Sequence, residues 1–413
     1  MKKFLLLLPL LTLLSIAHSS SANHSGNKRA KNNKSAVAEV GKPLSAWSEG
    51  CLDIHFINSG RGECCFYILP DGTTLLVDAG EVAGSDISVA QRPNEQVRPY
   101  ITYATYIKHF LPSKRRAIDY CAPSHLHTDH IGSADMATET SPAGYRKSGL
   151  LSLYDEVPYK HIIDRCYPNY TAESIQGQLA QDWATFVGWG VENGHFTAEQ
   201  VRLGEEQIKM LNKPKRHKEF SILNICANGL VWGRDKSGAT KAAGKLAAKG
   251  GNPASCGFHI RYGAFDYIAC GDLTSSAQNR VAYYYRDFIG SGRLDAFKCH
   301  HHLAGNSWGT QMQNCNFEPR VIVGHCFAGN KPHPEKLAYI LRWAEGFFAT
   351  NMHPDIISCP EVREGKLMDK VTGYNGHIVL RVAPKGESFS VYMLDDSDFE
   401  YRVKSIHGPY ESR

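Results

Sequence analysis

Beyond its first two dozen residues, this 413-residue chain has no apolar run long enough to cross a bilayer, and it has no internal repeat. The first absence excludes a bundle of spanning helices, which need about 20 apolar residues each. The second excludes a solenoid or a propeller. Net charge is small as well: 46 Lys and Arg stand against 41 Asp and Glu, a formal +5. Such a balance neither demands nor forbids an anionic substrate. No Walker-type phosphate loop and no serine nucleophile elbow is read in the chain, so water is the expected nucleophile of any hydrolysis.

The apolar run that does exist lies at the start. Met1-Lys2-Lys3 precedes Phe4 to Ala17, and Ser20-Ser21-Ala22 offers small residues for cleavage. A charged start, an apolar core of about a dozen residues and a polar sequel read as a secretory signal over 1–22 rather than a membrane span. No Cys lies near that point, which argues against a lipid anchor. Residues 23–45, rich in Lys, Asn, Ser and Gly, read as a flexible tether. The expectation is an exported protein, periplasmic or secreted, without a transmembrane anchor in the mature chain. Losing Lys2 and Lys3 takes the formal charge from +5 to +3 (5 − 2), and 368 residues remain from Ala46 onward (413 − 45). That length suits one large α/β domain over 46–413.

Twelve cysteines in an exported chain invite a disulfide reading. Cys64, Cys65, Cys121, Cys226, Cys270 and Cys299 fall in or beside apolar strand-like runs, where a buried Cys acts as a small hydrophobe. Cys51, Cys166, Cys256, Cys315, Cys326 and Cys359 are the better bridge candidates. Cys121 and Cys299 also lie close enough to metal-type motifs to be weighed as thiolate ligands.

The most informative stretch is His125-Leu126-His127-Thr128-Asp129-His130, which follows the largely apolar Ile118 to Pro123. Two imidazoles at i and i+2 suit one metal ion, and the Asp and His that follow suit a second. Zn²⁺ takes neutral imidazole and carboxylate, and a strand-to-loop turn converges such ligands. Asp78 ends the β-rich run Thr73 to Val77, placed to bond ligand histidines and fix their tautomers. Asp272 follows the strand-like Phe265 to Cys270, where one carboxylate could bridge two cations. His300-His301-His302 is the other dense imidazole group. Basic clusters at Lys114-Arg115-Arg116 and at Lys213 to Lys218 are candidates for a phosphate-contacting rim.

These blocks, in this order, resemble the metallo-β-lactamase superfamily, and within it the C-terminal domain of the bacterial competence (DNA-uptake) channel protein. Leu52 to Glu63 resembles the opening strand and turn, Leu75 to Gly80 the second strand and its Asp-Ala-Gly end. Asn252 and Ser255, then Ile268 to Asp272, and finally Phe297 to His302 complete the series. The resemblance implies an αββα sandwich, two mixed sheets with outer helices. It implies metal ligands His125, His127, Asp129, His130, Asp272, His301 and His302, and a catalytic role for Asp129. Asp78 would support the ligands, and Asn252 and Ser255 would face substrate. His300 falls outside the ligand set. Departures are Glu63 in place of an Asp, Leu303 in place of a Gly and Lys331 in place of a His. His161, His195, His217 and His259 sit in no recognisable motif.

The expected cofactor is Zn²⁺, one or two ions, with Mn²⁺ as an alternative. Such an ion lowers the pKa of water toward about 7. The resemblance points to a phosphodiesterase or nuclease; lactam or ester hydrolysis, and a metal-poor binding module, stay open. Coarse reading adds a helix over Tyr100 to Leu111, a helical insertion near 141–218, a loop over Lys236 to Gly251, helical periodicity over Pro334 to Thr350, and a closing hairpin at His377 to Val382 and Ser388 to Leu394.

Overall fold

Short apolar runs separated by Gly, Pro and Asp turns set the strands, and their alternation decides which face each side chain meets. The computed structural model describes residues 38–112, 115–171, 177–234, 240–243, 251–289, 294–309, 317 and 319–413. The expected signal peptide, and the expected tether up to residue 37, lie outside them. Among the described residues no helix is long and apolar enough to cross a membrane.

Among the described residues, eighteen strands form two nine-stranded sheets. The first takes β1 (Leu52–Phe56), β2 (Cys65–Ile68), β3 (Thr74–Val77), β4 (Ile118–Cys121), β5 (Tyr159–Asp164) and β6 (Thr197–Gln200). The second takes β7 (Phe220–Ala227), β8 (Leu230–Arg234), β9 (Thr240–Ala243), β10 (Gly257–Tyr262), β11 (Phe265–Ala269), β12 (Ala296–Lys298), β13 (Val321–Gly324), β14 (Gly346–Ala349) and β15 (Gly373–Tyr374). The chain then returns to the first sheet with β16 (His377–Val382), β17 (Ser388–Leu394) and β18 (Val403–Glu411). The orders are β18-β17-β16-β1-β2-β3-β4-β5-β6 and β15-β14-β13-β12-β11-β10-β7-β8-β9. β3 to β6 run parallel, as do β11 to β15, and the remaining pairs are antiparallel. Both sheets are therefore mixed, as expected.

Alternation is clean in β1. Leu52, Ile54 and Phe56 point between the sheets and join Tyr67, Leu75, Ile260, Tyr267 and Val323 in the central core. Asp53 points outward and pairs with Arg381 on the neighbouring strand at 2.7 Å. The outer face of the first sheet is covered by α1 (Pro99–Phe110), α3 (Gly149–Glu156) and α4 (Gly177–Glu192), through Tyr103, Ile107, Leu150, Leu153 and Trp183. A single turn, α2 (Thr128–Ile131), lies between the first two. On the second sheet α5 (Ser275–Tyr285), α6 (Pro334–Ile340), α7 (Pro354–Ser358) and α8 (Pro360–Glu364) do the same, through Val281, Leu337, Ile356 and Val362. The result is the αββα sandwich.

Three local expectations differ from what is observed. The segment 141–218 carries α3 and α4 but also β5 and β6, which extend the first sheet instead of standing apart from it. Helix α6 stops at Ile340, because Gly346-Phe347-Phe348-Ala349 is drawn into a buried parallel strand beside β13. Within the expected loop at 236–251, Thr240–Ala243 pairs with β8; residues 235–239 and 244–250 lie outside the described set. As for disulfides, Cys51, Cys256, Cys326 and Cys359 carry free thiols, and Cys315 lies outside the described residues. Cys166 is buried with its N–H donating to Asp164.

Candidate metal centre

Parallel strands β3 and β4 end side by side, and the loops that leave them are stitched together by their backbones. The Ala79 N–H donates to the His130 carbonyl at 2.8 Å, and the Glu63 N–H donates to the Asp129 carbonyl at 2.9 Å. Gly80 is required at this crossing: a Cβ there would sit 1.9 Å from the Asp129 carbonyl oxygen. Asp78 takes a left-handed backbone (φ 63°), which Asp tolerates better than most residues. Its carboxylate accepts from the Ser124 N–H and the Ser124 hydroxyl, both at 2.7 Å. Those bonds fix the turn from which His125 to His130 projects.

His130 is the centre of the arrangement. Its Nδ1 donates to Asp78 Oδ2 at 2.8 Å, which turns Nε2 toward Asp272 Oδ2, 3.2 Å away. His302 mirrors it from the second sheet. Its Nδ1 donates to the His325 carbonyl at 2.9 Å, and its Nε2 stands 3.2 Å from both Asp129 Oδ2 and Asp272 Oδ2. The His125 ring lies tilted 4.1 Å from the His130 ring and edge-on 4.5 Å from the His127 ring, centroid to centroid. Burial opposes charge on His130, but the carboxylates of Asp272, Asp129 and Asp78 outweigh it and raise its pKa well above the usual imidazole value. Burial works against charge on Asp272 as well; His302 and His130 overcome it and hold that carboxyl well below its usual range.

The donor set fits a divalent cation. Ligand atoms of Glu63, His130, Asp272 and His302 all lie within 4.8 Å of one another, and all four residues are buried. His125 Nε2, His130 Nε2 and Asp272 Oδ1 are buried without a hydrogen-bond partner, a costly state unless something else binds them. Imidazole with carboxylate suits Zn²⁺ or Mn²⁺. A second group, Glu63, Cys65 and His325, lies behind the first. Burial, with Glu63 beside it, pushes the Cys65 thiol far up. The same burial raises Cys121 and Cys299.

The structure brings together His125, His127, Asp129, His130, Asp272 and His302, with Asp78 behind His130. His301 turns away: its Nδ1 faces the Asn306 side-chain oxygen at 2.7 Å, and its Nε2 accepts from Asn252 at 3.2 Å. Asn252 is thereby tied to His301. Ser255 accepts from the Asp272 N–H at 3.1 Å and so supports a ligand from behind. His301, His302 and Leu303 are all left-handed, at φ 49°, 53° and 59°. Leu303 thus stands in a conformation that favours glycine, and such strain collects at functional sites. His300 is buried against Phe297. Three of the four histidines outside motifs have side-chain partners: His161 meets Thr197 and Glu199, His195 stacks on Trp189, and His259 lies between Asp266 and Tyr285; His217 is buried with its Nε2 lacking a hydrogen-bond partner.

Four residues of the centre escaped the sequence reading. Ser124 was legible only as the residue before the motif. Glu63 stood out as a substitution, yet its carboxylate is buried 2.9 Å from Lys298 Nζ and 3.6 Å from His302 Nδ1. Lys298 also donates to the Gly271 carbonyl at 3.1 Å. His325 follows β13, donates from Nε2 to the Cys64 carbonyl, and carries no local motif. The pentapeptide Gly305 to Gly309 does spell Gly-x-Ser-x-Gly, against the expectation of no such elbow. Ser307 is buried, and its hydroxyl donates to the Ala304 carbonyl at 2.7 Å, so it is no nucleophile.

Around the centre the surface is two-sided. A depression of about 370 Å³ beside His127 and Asp129 is lined also by Ser133, Asp135, Gln178 and Leu179, with no cation among the described residues that line it. On the other side Lys331 lies with its ammonium 5.5 Å from the Phe327 ring centroid, and Phe327 packs 4.8 Å from the His302 ring. Lys331 has no ion-pair partner among the described residues. Its charge adds to burial in disfavouring protonation of His127 and His301. The two basic clusters read in the sequence are elsewhere: Arg115 and Arg116 precede β4, whereas the metal-type loop follows it.

No family model matches the chain, and no curated protein matches it. Solved structures do. One is a mutant of the CmlA β-hydroxylase, at 13% identity and TM-score 0.37, covering 80% of this chain and 54% of that one. This chain thus spans about half the length of that protein. Another is the hydrolase AbOPH of the β-lactamase superfamily, at 11% identity and TM-score 0.26, covering 57% and 74%. A third is the flavodiiron protein from Giardia intestinalis, at 11% identity and TM-score 0.30, covering 79% and 82%. The fold itself, two mixed sheets between helices with the histidine loop after a parallel strand, is an αββα sandwich.

Proposed function

We propose that this chain is an exported metal-dependent hydrolase of phosphodiester bonds. The observation that carries the reading is the convergence of His130, Asp272 and His302, with Asp129 beside them, and the burial of His130 Nε2 and Asp272 Oδ1 without hydrogen-bond partners. His125 and His127 supply the donors for a further ion. A bound dication supplies an acidified water and charge stabilisation. The protein's own groups do the rest. Asp78 holds the His130 proton on Nδ1. Asp129, whose Oδ2 lies 3.2 Å from His302 Nε2, is placed to accept a hydrogen bond from water and orient it. Lys331 offers an unpaired ammonium at the mouth, where a phosphodiester brings its charge.

A second reading, hydrolysis of an uncharged ester or lactam, is favoured by the depression beside His127, which has Asp135 but no cation among the described residues that line it. Turnover of bis(p-nitrophenyl) phosphate by the purified chain, stripped of metal and then restored with Zn²⁺, tests the first reading. Metal-restored turnover that falls in Lys331→Met supports it. Turnover of p-nitrophenyl esters alone moves the assignment to the second.

A further inference from the structure

Strands β3, β4 and β5 run parallel, so everything at their N-terminal ends lies on the side away from the metal-type centre. β4 alone spans roughly 13 Å at about 3.3 Å per residue. At that far end Arg115 and Arg116 of the first basic cluster come beside Leu211 and Asn212, which lead into the second. Arg115 and Lys160 share the Asp119 carboxylate. Arg115, Arg116, Lys160, Leu211 and Asn212 line one open depression of about 570 Å³. The backbone N–H groups of Asn212 and Lys213 bind Asp71 in the turn before β3. Lys213 and Arg216 share Glu49. Four cations thus rest on two carboxylates, and Arg116, Lys215 and Lys218 are exposed with no ion-pair partner among the described residues. Amid them Leu211 leaves 54% of its surface to solvent.

We propose that this face docks on a bilayer rich in anionic phospholipid. Cations that share a depression with an exposed aliphatic side chain match a headgroup layer, where charge attracts and the apolar group enters the interface. A nucleic acid would draw on the same charge but gains nothing from Leu211, and the depression offers no aromatic ring for stacking bases. Docked this way, the chain would present its metal-type centre to solution. The inference stands apart from the reaction proposed above.

The test is partition of the full chain onto phosphatidylcholine vesicles with and without phosphatidylglycerol. Preference for the anionic vesicles is expected, fading at about 1 M salt, where the screening length is about 3 Å. The variant Arg116→Glu/Lys215→Glu/Lys218→Glu should lose about a hundredfold in that preference, and Leu211→Ser should weaken partition without changing its salt dependence. The N-terminal apolar segment is common to all variants, so it cancels in the comparison, and thermal melting confirms folding. Equal partition onto both vesicle types would overturn the proposal. So would a single-stranded oligonucleotide that binds the chain, is lost in the triple variant and ignores Leu211→Ser while vesicles do the same.

Discussion

His130 Nδ1 stands 2.8 Å from Asp78 Oδ2, and this contact leaves His130 Nε2 facing Asp272. A carboxylate behind a ligand imidazole fixes its tautomer and strengthens it as a donor. Asp78→Asn keeps the shape but weakens both effects. Metal affinity, measured by competition with a chromogenic chelator, is expected to fall about 10- to 100-fold with little change in melting temperature. Unchanged affinity would leave Asp78 with only its role in the turn at Ser124.

His301 and His302 are adjacent in sequence and differ in what they face. Both nitrogens of His301 are engaged by Asn306 and Asn252, whereas His302 Nε2 points at Asp129 and Asp272. His302→Ala is therefore expected to lower bound metal by at least one equivalent per chain, and His301→Ala to keep it, as read by atomic emission after dialysis. Equal losses would place His301 in the ligand set.

The contrast shows where sequence reading stops. The strands, the order of the motifs and the convergence of His125 to His130 with Asp272 follow from local pattern, because each block sits at the end of an apolar strand. Which of two neighbouring histidines faces inward does not, because it depends on three successive left-handed residues, His301 to Leu303, that no periodicity announces. Glu63, Lys298 and His325 were illegible for another reason. Glu63 lies in the turn before β2 of the first sheet, Lys298 and His325 at the ends of β12 and β13 of the second, and only the packing of the two sheets brings them together. The basic clusters failed as a rim because strand direction, not proximity in sequence, decides which end of β4 they occupy.

Lys298 and Glu63 form a buried pair at 2.9 Å, 2% and 1% exposed. Removing one partner of such a pair strands the other charge, which costs about 3–5 kcal/mol. Lys298→Met is expected to destabilise the fold by that order in urea denaturation, and Lys298→Met/Glu63→Gln to recover most of the loss. A double variant no better than the single one would show that Lys298 acts through the Gly271 carbonyl instead.

Two histidines far from the metal-type centre make acid stability measurable. His377 Nδ1 accepts from the Asn58 N–H at 3.0 Å, and burial pushes its pKa down to about 4. His55, buried against Tyr106, is pushed to about 3. Both folded values lie below the unfolded value of about 6.5, so between about pH 4 and 6.5 the unfolded chain binds more protons. Their contribution is complete above pH 6.5 and is lost as pH falls. Asp295, raised by burial to about 7, acts in the opposite sense, which makes the difference between variant and parent the useful quantity. His377→Asn keeps an acceptor for Asn58 and removes one titration. Its stability should depend on pH less steeply than the parent's by about 1.4 kcal/mol per pH unit across that window. Parallel profiles would mean that His377 is not held neutral by burial.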